Sequence, residues 1–135
     1  MKKLMLALVL VMVMVGTSFG QEKEYVPNPK DEAYFNTTYQ PQMKKCGELI
    51  ESRDFEQAEY TCSTAVQMTN RFIDERIRLF LKGKTLEVVF AVQLEITKNL
   101  FESGNIRAAE RYKNRVAQTA ASQSYVADQY NAKYK

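Results

Sequence analysis

The stretch that most constrains this chain runs from Lys44 to Val66, KKCGELIESRDFEQAEYTCSTAV. Apolar residues recur in it at steps of three and four, the period of a helix face turned toward a core. Met43, Cys46, Leu49 and Ile50 carry one such face, and Phe55, Ala58, Cys62, Ala65 and Val66 carry another. Between them Asp54 is a helix N-cap, and Gln57, three residues on, completes a capping box. The stretch therefore folds as two helices packed antiparallel, with one cysteine on each.

The chain continues in the same manner. Pro41 suits the first position of a helix, since its missing N–H is not needed there. After Asp54 no Gly or Pro occurs until Gly83. One long helix, or one broken near Thr69-Asn70, is expected up to Lys82, with Gly83 as its stop. A third helix then starts at Thr85 and runs to Phe101. Its segment LEVVFA is apolar on nearly all sides, the mark of a buried helix. Ser103-Gly104-Asn105 ends it, and a fourth helix follows with Ile106, Ala109, Tyr112, Val116 and Ala120 on one face. The expected fold is all-α, built of antiparallel helical hairpins over residues 41–121, with 122–135 as a helical extension or tail.

The two ends read differently. Residues 1–20 have a short positive start at Lys2-Lys3, an apolar run of 12 residues from Leu4 to Val15, and a small-residue site at Ser18 and Gly20. That is the pattern of a secretory signal peptide, and the run is shorter than the ~20 residues that span a bilayer. The mature chain is thus expected to be periplasmic or secreted, with no stable membrane insertion. Residues 21–40 read as an extended leader, because Pro27 and Pro29 disfavour local helix. Its aromatics Tyr34, Phe35 and Tyr39 are large enough to dock, either on the chain's own core or on a partner. Asn36-Thr37-Thr38 matches a glycosylation sequon, discounted because the signal peptide is bacterial in style.

Composition narrows the function classes. Of 19 Lys and Arg, cleavage removes Lys2 and Lys3, leaving 17 against 16 acidic residues. The basic residues are interspersed with acidic ones, so no nucleic-acid footprint is expected. The chain has no His, which removes histidine acid–base chemistry and the usual histidine-containing metal sites. Carboxylates such as Glu95 and Glu102, which share a face at i, i+7, could act as an acid–base pair; solvated surface charge explains them better. No catalytic residue, metal or cofactor is assigned. Two cysteines in an exported chain favour a Cys46–Cys62 disulfide.

The two hairpins also match each other. ELIESRDFEQAEYTCSTAV (48–66) aligns with NLFESGNIRAAERYKNRVA (99–117) at a constant offset of 51. Glu51 meets Glu102, Ser52 meets Ser103, Asp54 meets Asn105, Ala58 meets Ala109 and Glu59 meets Glu110. Around these turns the chain resembles the tetratricopeptide repeat family, whose turn has the form gly-asp-aromatic-x-x-Ala. Asp54-Phe55-Glu56-Gln57-Ala58, with Ala65 seven further on, and Gly104-Asn105-Ile106-Arg107-Ala108-Ala109 carry the likeness. The offset exceeds the family's usual ~34, Val116 stands where a small residue belongs, and a small four-helix bundle is the alternative architecture.

The resemblance implies that Cys46 and Cys62 face one another where the helices approach closest, near the roughly 4.4–6.8 Å Cα separation of a disulfide. It also implies peptide or protein binding in a groove lined by the first helix of each pair. The positions are Met43, Gly47 and Ile50 in one hairpin and Leu94, Lys98 and Phe101 in the other. The competing function is a small disulfide-bonded inhibitor or immunity-type protein that blocks a partner enzyme through a loop or the aromatic leader. An array without polar capping faces also suggests a homodimer.

Overall fold

A computed structural model describes residues 28–135. The proposed signal peptide and residues 21–27 of the leader lie outside the described residues. The chain is all-α. Helices α1 (Pro29–Tyr34), α2 (Gln40–Glu51), α3 (Phe55–Met68), α4 (Glu75–Glu102) and α5 (Ile106–Tyr134) follow one another, with a π-helical turn at Phe35–Tyr39 and a 3₁₀ turn at Thr69–Arg71. Each long helix packs chiefly on the next: α2 on α3, α3 on α4, α4 on α5. The result is a small bundle whose spatial order follows the chain, with a single core running from Phe35 to Val126.

The leader from Pro29 onward is helical, not extended. Asn28 caps it by accepting the Lys30 N–H at 2.9 Å, and Pro29 occupies the first turn, where it costs nothing. The wider π turn holds Phe35 and Tyr39, four residues apart, on the buried side, in line with Met43, Cys46 and Ile50 of α2. Pro29 was thus a helix start rather than a helix breaker.

Of the two courses open to the second helix, the structure takes the break near Thr69-Asn70: α3 ends at Met68, well before Gly83. What stops it is an elbow clamped by distant groups. The Asp31 carboxylate, buried at 1% exposure, accepts the N–H groups of Ile73 at 2.8 Å and Asp74 at 2.9 Å. Tyr34 Oη donates to the Met68 carbonyl at 3.1 Å, and Arg78 donates to the Phe72 carbonyl at 2.9 Å. Phe72 turns extended and inserts beside the rings of Tyr34 and Tyr39 at 5.0 and 5.8 Å. Asp74 then caps α4 through the Arg76 and Ile77 N–H groups. With these groups satisfied, a break here costs less than carrying the helix through.

Gly83 lies inside α4, and Thr85 is no cap but a fully buried residue. A Cβ on Gly83 would stand 3.7 Å from Val126 Cγ1 of α5, so the glycine marks the α4–α5 contact. The Thr85 hydroxyl donates to the Leu81 carbonyl at 2.6 Å, so at its 2.6 Å bond to Tyr39 the phenol is the donor. Burial raises the Tyr39 phenol to about 12.

The two hairpin turns are the same structure. In each, the serine hydroxyl donates back three residues at 3.0 Å, Ser52 to Leu49 and Ser103 to Leu100. The next residue turns left-handed, Arg53 at φ 64° and Gly104 at φ 83°. The cap residue N–H then bonds five residues back at 2.9 Å, Asp54 to Leu49 and Asn105 to Leu100. Each cap side chain accepts an N–H three residues on at 3.4 Å, from Gln57 and from Ala108. Ala58 and Ala109, each 0% exposed, sit where the helices cross. A disulfide joins Cys46 and Cys62 in the first hairpin, with Cα atoms 5.3 Å apart. Such a bond fits an oxidising compartment.

Candidate interaction surface

The residues expected to line a groove are divided by the fold. Met43 and Ile50 are 3% and 1% exposed and belong to the core, as do Phe35 and Tyr39. Tyr34 is half-buried against Phe72, and Gly47 is half-buried on α2. Their spacing is that of a core face, and α3 packs against α2. On α4 the outcome is the reverse: Leu94 and Phe101 are 45% and 36% exposed, and Lys98 between them is exposed.

These three belong to a longer stripe. Phe80, Lys84, Glu87, Ala91, Leu94, Lys98 and Phe101 follow one another at alternating steps of four and three, which keeps them on one face of α4. Helix α5 borders that face along its length. At the turn end, Lys113 Nζ stands 5.0 Å over the Phe101 ring. At the far end, Phe80 packs on Tyr130 with ring centroids 5.8 Å apart. There a pocket of about 330 Å³ opens between Phe80, Gly83, Lys84 and Glu87 of α4 and Ala127, Tyr130 and Asn131 of α5. Between the two ends, α5 offers Ala117, Ala120, Ser124 and Ala127 at steps of three and four. With Lys113 at one end and Ala127 at the other, this row of small side chains lies on the side of α5 toward the α4 stripe, and the strip between them is the α4–α5 valley. Ile106, the first residue of α5, is 51% exposed.

The opposite side of α4 is closed by polar contacts. Glu59 of α3, with its side chain 14% exposed, accepts from Tyr112 Oη and from Arg115 Nη1 at 3.0 Å, both on α5. Gln93 of α4, 3% exposed, donates to the other Glu59 oxygen at 2.9 Å, while its own Oε1 has no partner among the described residues. Burial and the bond to the Glu59 carboxylate both push the Tyr112 phenol up. The Arg115 guanidinium is also held charged, first by its bond to the Tyr112 phenol and then by the Glu59 charge. This cluster ties three helices together. No local period announced it, because Glu59 lies 34 residues from Gln93 and 53 from Tyr112. The valley was half legible: the 3–4 spacing of small residues on α5 was a usable signal, but that they flank Leu94 depends on how α5 lies.

Glu102 is exposed and Glu95 half-buried. Among the described residues no three potential ligands group as for a metal ion, and no helix is long and apolar enough to cross a membrane. A second hollow, about 430 Å³, lies between the two turns, lined by Arg53, Asp54, Phe55, Asn99 and Ser103. Comparison with protein-family models, curated proteins and solved structures finds no match to this chain.

Proposed function

We propose that this chain is an exported helical interaction module, periplasmic or secreted, and that it receives a segment of a partner protein in the α4–α5 valley. The observation that carries this is the valley's surface. Leu94, Phe101 and Ile106 are large apolar side chains left 45%, 36% and 51% exposed, the first two on one face of α4 and the third at the start of α5. Clustered exposure of this kind marks interaction sites more often than scattered surface residues do. The disulfide supports export, and the twin turns support the tetratricopeptide-like reading, in which hairpins present a binding groove.

The binding groove of this proposal keeps the α4 half of the one anticipated across α2 and α4 and drops the α2 half, whose Met43 and Ile50 are core. A second reading, a small inhibitor or immunity-type protein, draws on the hollow between the hairpin turns, where Arg53 and Ser103 bring two polar tips side by side. Its leader version loses support, since Phe35 and Tyr39 are buried.

Site-specific photo-crosslinking separates these readings. A benzophenone side chain is placed at Leu94, Phe101, Arg53 or Tyr60, and adducts formed in the native extract are sequenced. The module predicts one protein adduct from positions 94 and 101 and none from Tyr60, which is 74% exposed on α3. An adduct from position 53 alone favours the inhibitor. Equal labelling from all four positions, or none, removes the valley as a specific site.

A further inference from the structure

The pocket between the first half of α4 and the second half of α5 has a chemistry of its own. Its room comes from two small residues, Gly83 and Ala127, where larger side chains would fill the space of about 330 Å³. Two aromatic rings wall it. Phe80 and Tyr130 pack with centroids 5.8 Å apart and planes tilted by 48°, so neither ring's face is fully covered by the other. Tyr134 supports Tyr130 from outside the pocket at 5.4 Å.

The polar groups here are of one kind. The side-chain amides of Gln123 and Asn131 and the Tyr130 hydroxyl have no hydrogen-bond partner among the described residues. Each of the three can both donate and accept. The hydroxyls of Tyr34, Tyr39, Tyr112 and Tyr134, by contrast, are all bonded within the molecule. Charge on the walls is matched, since Lys84 lies 3.8 Å from Glu87. Lys135 is the one other ion among the lining residues.

These features select a ligand class. Matched charge favours a neutral molecule, because an anion would meet Glu87 and a cation would meet Lys84 and Lys135. The rings ask for an apolar face, and the amides ask for groups at its edge that donate and accept at once. A sugar ring carries both: its C–H groups lie flat on an aromatic ring, and its hydroxyls radiate from the edge. The volume stands at the small end of the roughly 300–1,000 Å³ of ligand pockets, which suits a monosaccharide or disaccharide.

We infer that this pocket binds a neutral sugar, with Phe80 and Tyr130 as its apolar wall and Gln123 and Asn131 as its hydroxyl partners. The site stands apart from the protein-binding reading, since neither Leu94 nor Phe101 lines it.

The test follows backbone amide NMR shifts of the full mature chain, disulfide intact, during titration to about 50 mM of each probe. The probes are glucose, N-acetylglucosamine and cellobiose, with sorbitol as a polyol lacking the ring and benzoate as an aromatic anion. At least one ring sugar is expected to give saturable shifts at Gly83, Gln123 and Ala127, with a Kd on the order of 1 mM, as for a small ligand in an open pocket. Ala127→Leu, at an exposed helix position, fills the space and should weaken that sugar at least about 10-fold. Asn131→Ala and Tyr130→Leu should each weaken it, and Tyr60→Ser should not. No saturable shift with any sugar overturns the inference. So does sorbitol binding as well as the rings, or sugar binding unmoved by Ala127→Leu. Benzoate binding more tightly than every sugar assigns the pocket to an anion held by Lys135 and overturns it too. None of these outcomes touches the crosslinks expected from positions 94 and 101.

Discussion

Reduction of the Cys46–Cys62 bond is the perturbation with the best-defined magnitude. The bond closes a loop of 16 residues and joins the middles of α2 and α3. On the chain-entropy model, opening such a loop in the denatured state costs the native state about 3 kcal/mol at 25 °C. Both cysteines sit at 0% exposure, so on reduction the thiols part only to van der Waals contact inside the core and open no cavity. The entropic loss is thus nearly the whole effect. A domain of this size is stable by about 5–15 kcal/mol, so the reduced protein stays folded but weakened. With a urea dependence of about 1.5 kcal/mol per molar, the unfolding midpoint should fall by about 2 M. The assay is urea denaturation followed by far-UV circular dichroism, with and without a phosphine reductant. A parallel measurement is thiol alkylation of the reduced protein, expected only at the rate of global unfolding. The reasoning is refuted if the two midpoints coincide, or if the reduced native protein alkylates as fast as an unfolded peptide. Intact mass of the exported protein, lacking residues 1–20 and two hydrogens, checks the export proposal in the same preparation.

Other outcomes follow from single contacts. Glu59→Ala should destabilise by about 2–3 kcal/mol, because it strands the buried Gln93 amide and the Tyr112 phenol together; Glu59→Gln should cost clearly less. Gly83→Ala should stabilise by about 0.5–1 kcal/mol, since the site is mid-helix and its Cβ meets Val126 at an ordinary 3.7 Å, whereas Gly104→Ala, at φ 83°, should destabilise by about 1 kcal/mol. The Tyr39 phenol is raised from 10.0 to about 12 in the folded chain. A raised value means stability fully present below pH ~10 and lost as the pH climbs through ~12, about 3 kcal/mol in all. Alkaline unfolding of the wild type should therefore begin above pH ~10, and Tyr39→Phe should flatten that limb while costing about 1 kcal/mol at neutral pH. At the other end, bonds from Lys133 and Tyr134 lower the Glu75 carboxyl below its ordinary 4.5. The tie of the last turn of α5 to α4 is then present above pH ~4.5 and released as the pH falls further, which amide hydrogen exchange at residues 131–135 would register.

The local rules of helix, cap and turn were legible in the chain alone. Apolar residues at steps of three and four announced α2, α3 and α5, while of α4 only the part from Thr85 onward was read as one helix. Asp54 and Asn105 announced their caps, and the constant offset between 48–66 and 99–117 announced two turns that share their serine, left-handed and capping hydrogen bonds. These are interactions among residues within five positions of each other, so sequence spacing carries them. The cysteine pair was legible for a related reason, since a hairpin brings two nearby helices together in one way.

Contacts between distant residues decided the rest. Pro29 could end a helix or begin one, and Asn28 together with the docking of Phe35 and Tyr39 made it a beginning. The sequence left open a helix continuous to Gly83 or a break near Thr69-Asn70; the Asp31 carboxylate, 42 residues before the N–H it caps at Ile73, holds the break at the elbow, and Gly83 lies inside α4. Met43 and Leu94 hold matching places in their hairpins, yet one is 3% and the other 45% exposed. Helical spacing states which residues share a face, and only the neighbouring helices decide whether that face is covered. α2 has neighbours over its apolar face, while α4 meets α5 along a border of small residues that leaves Leu94 and Phe101 uncovered.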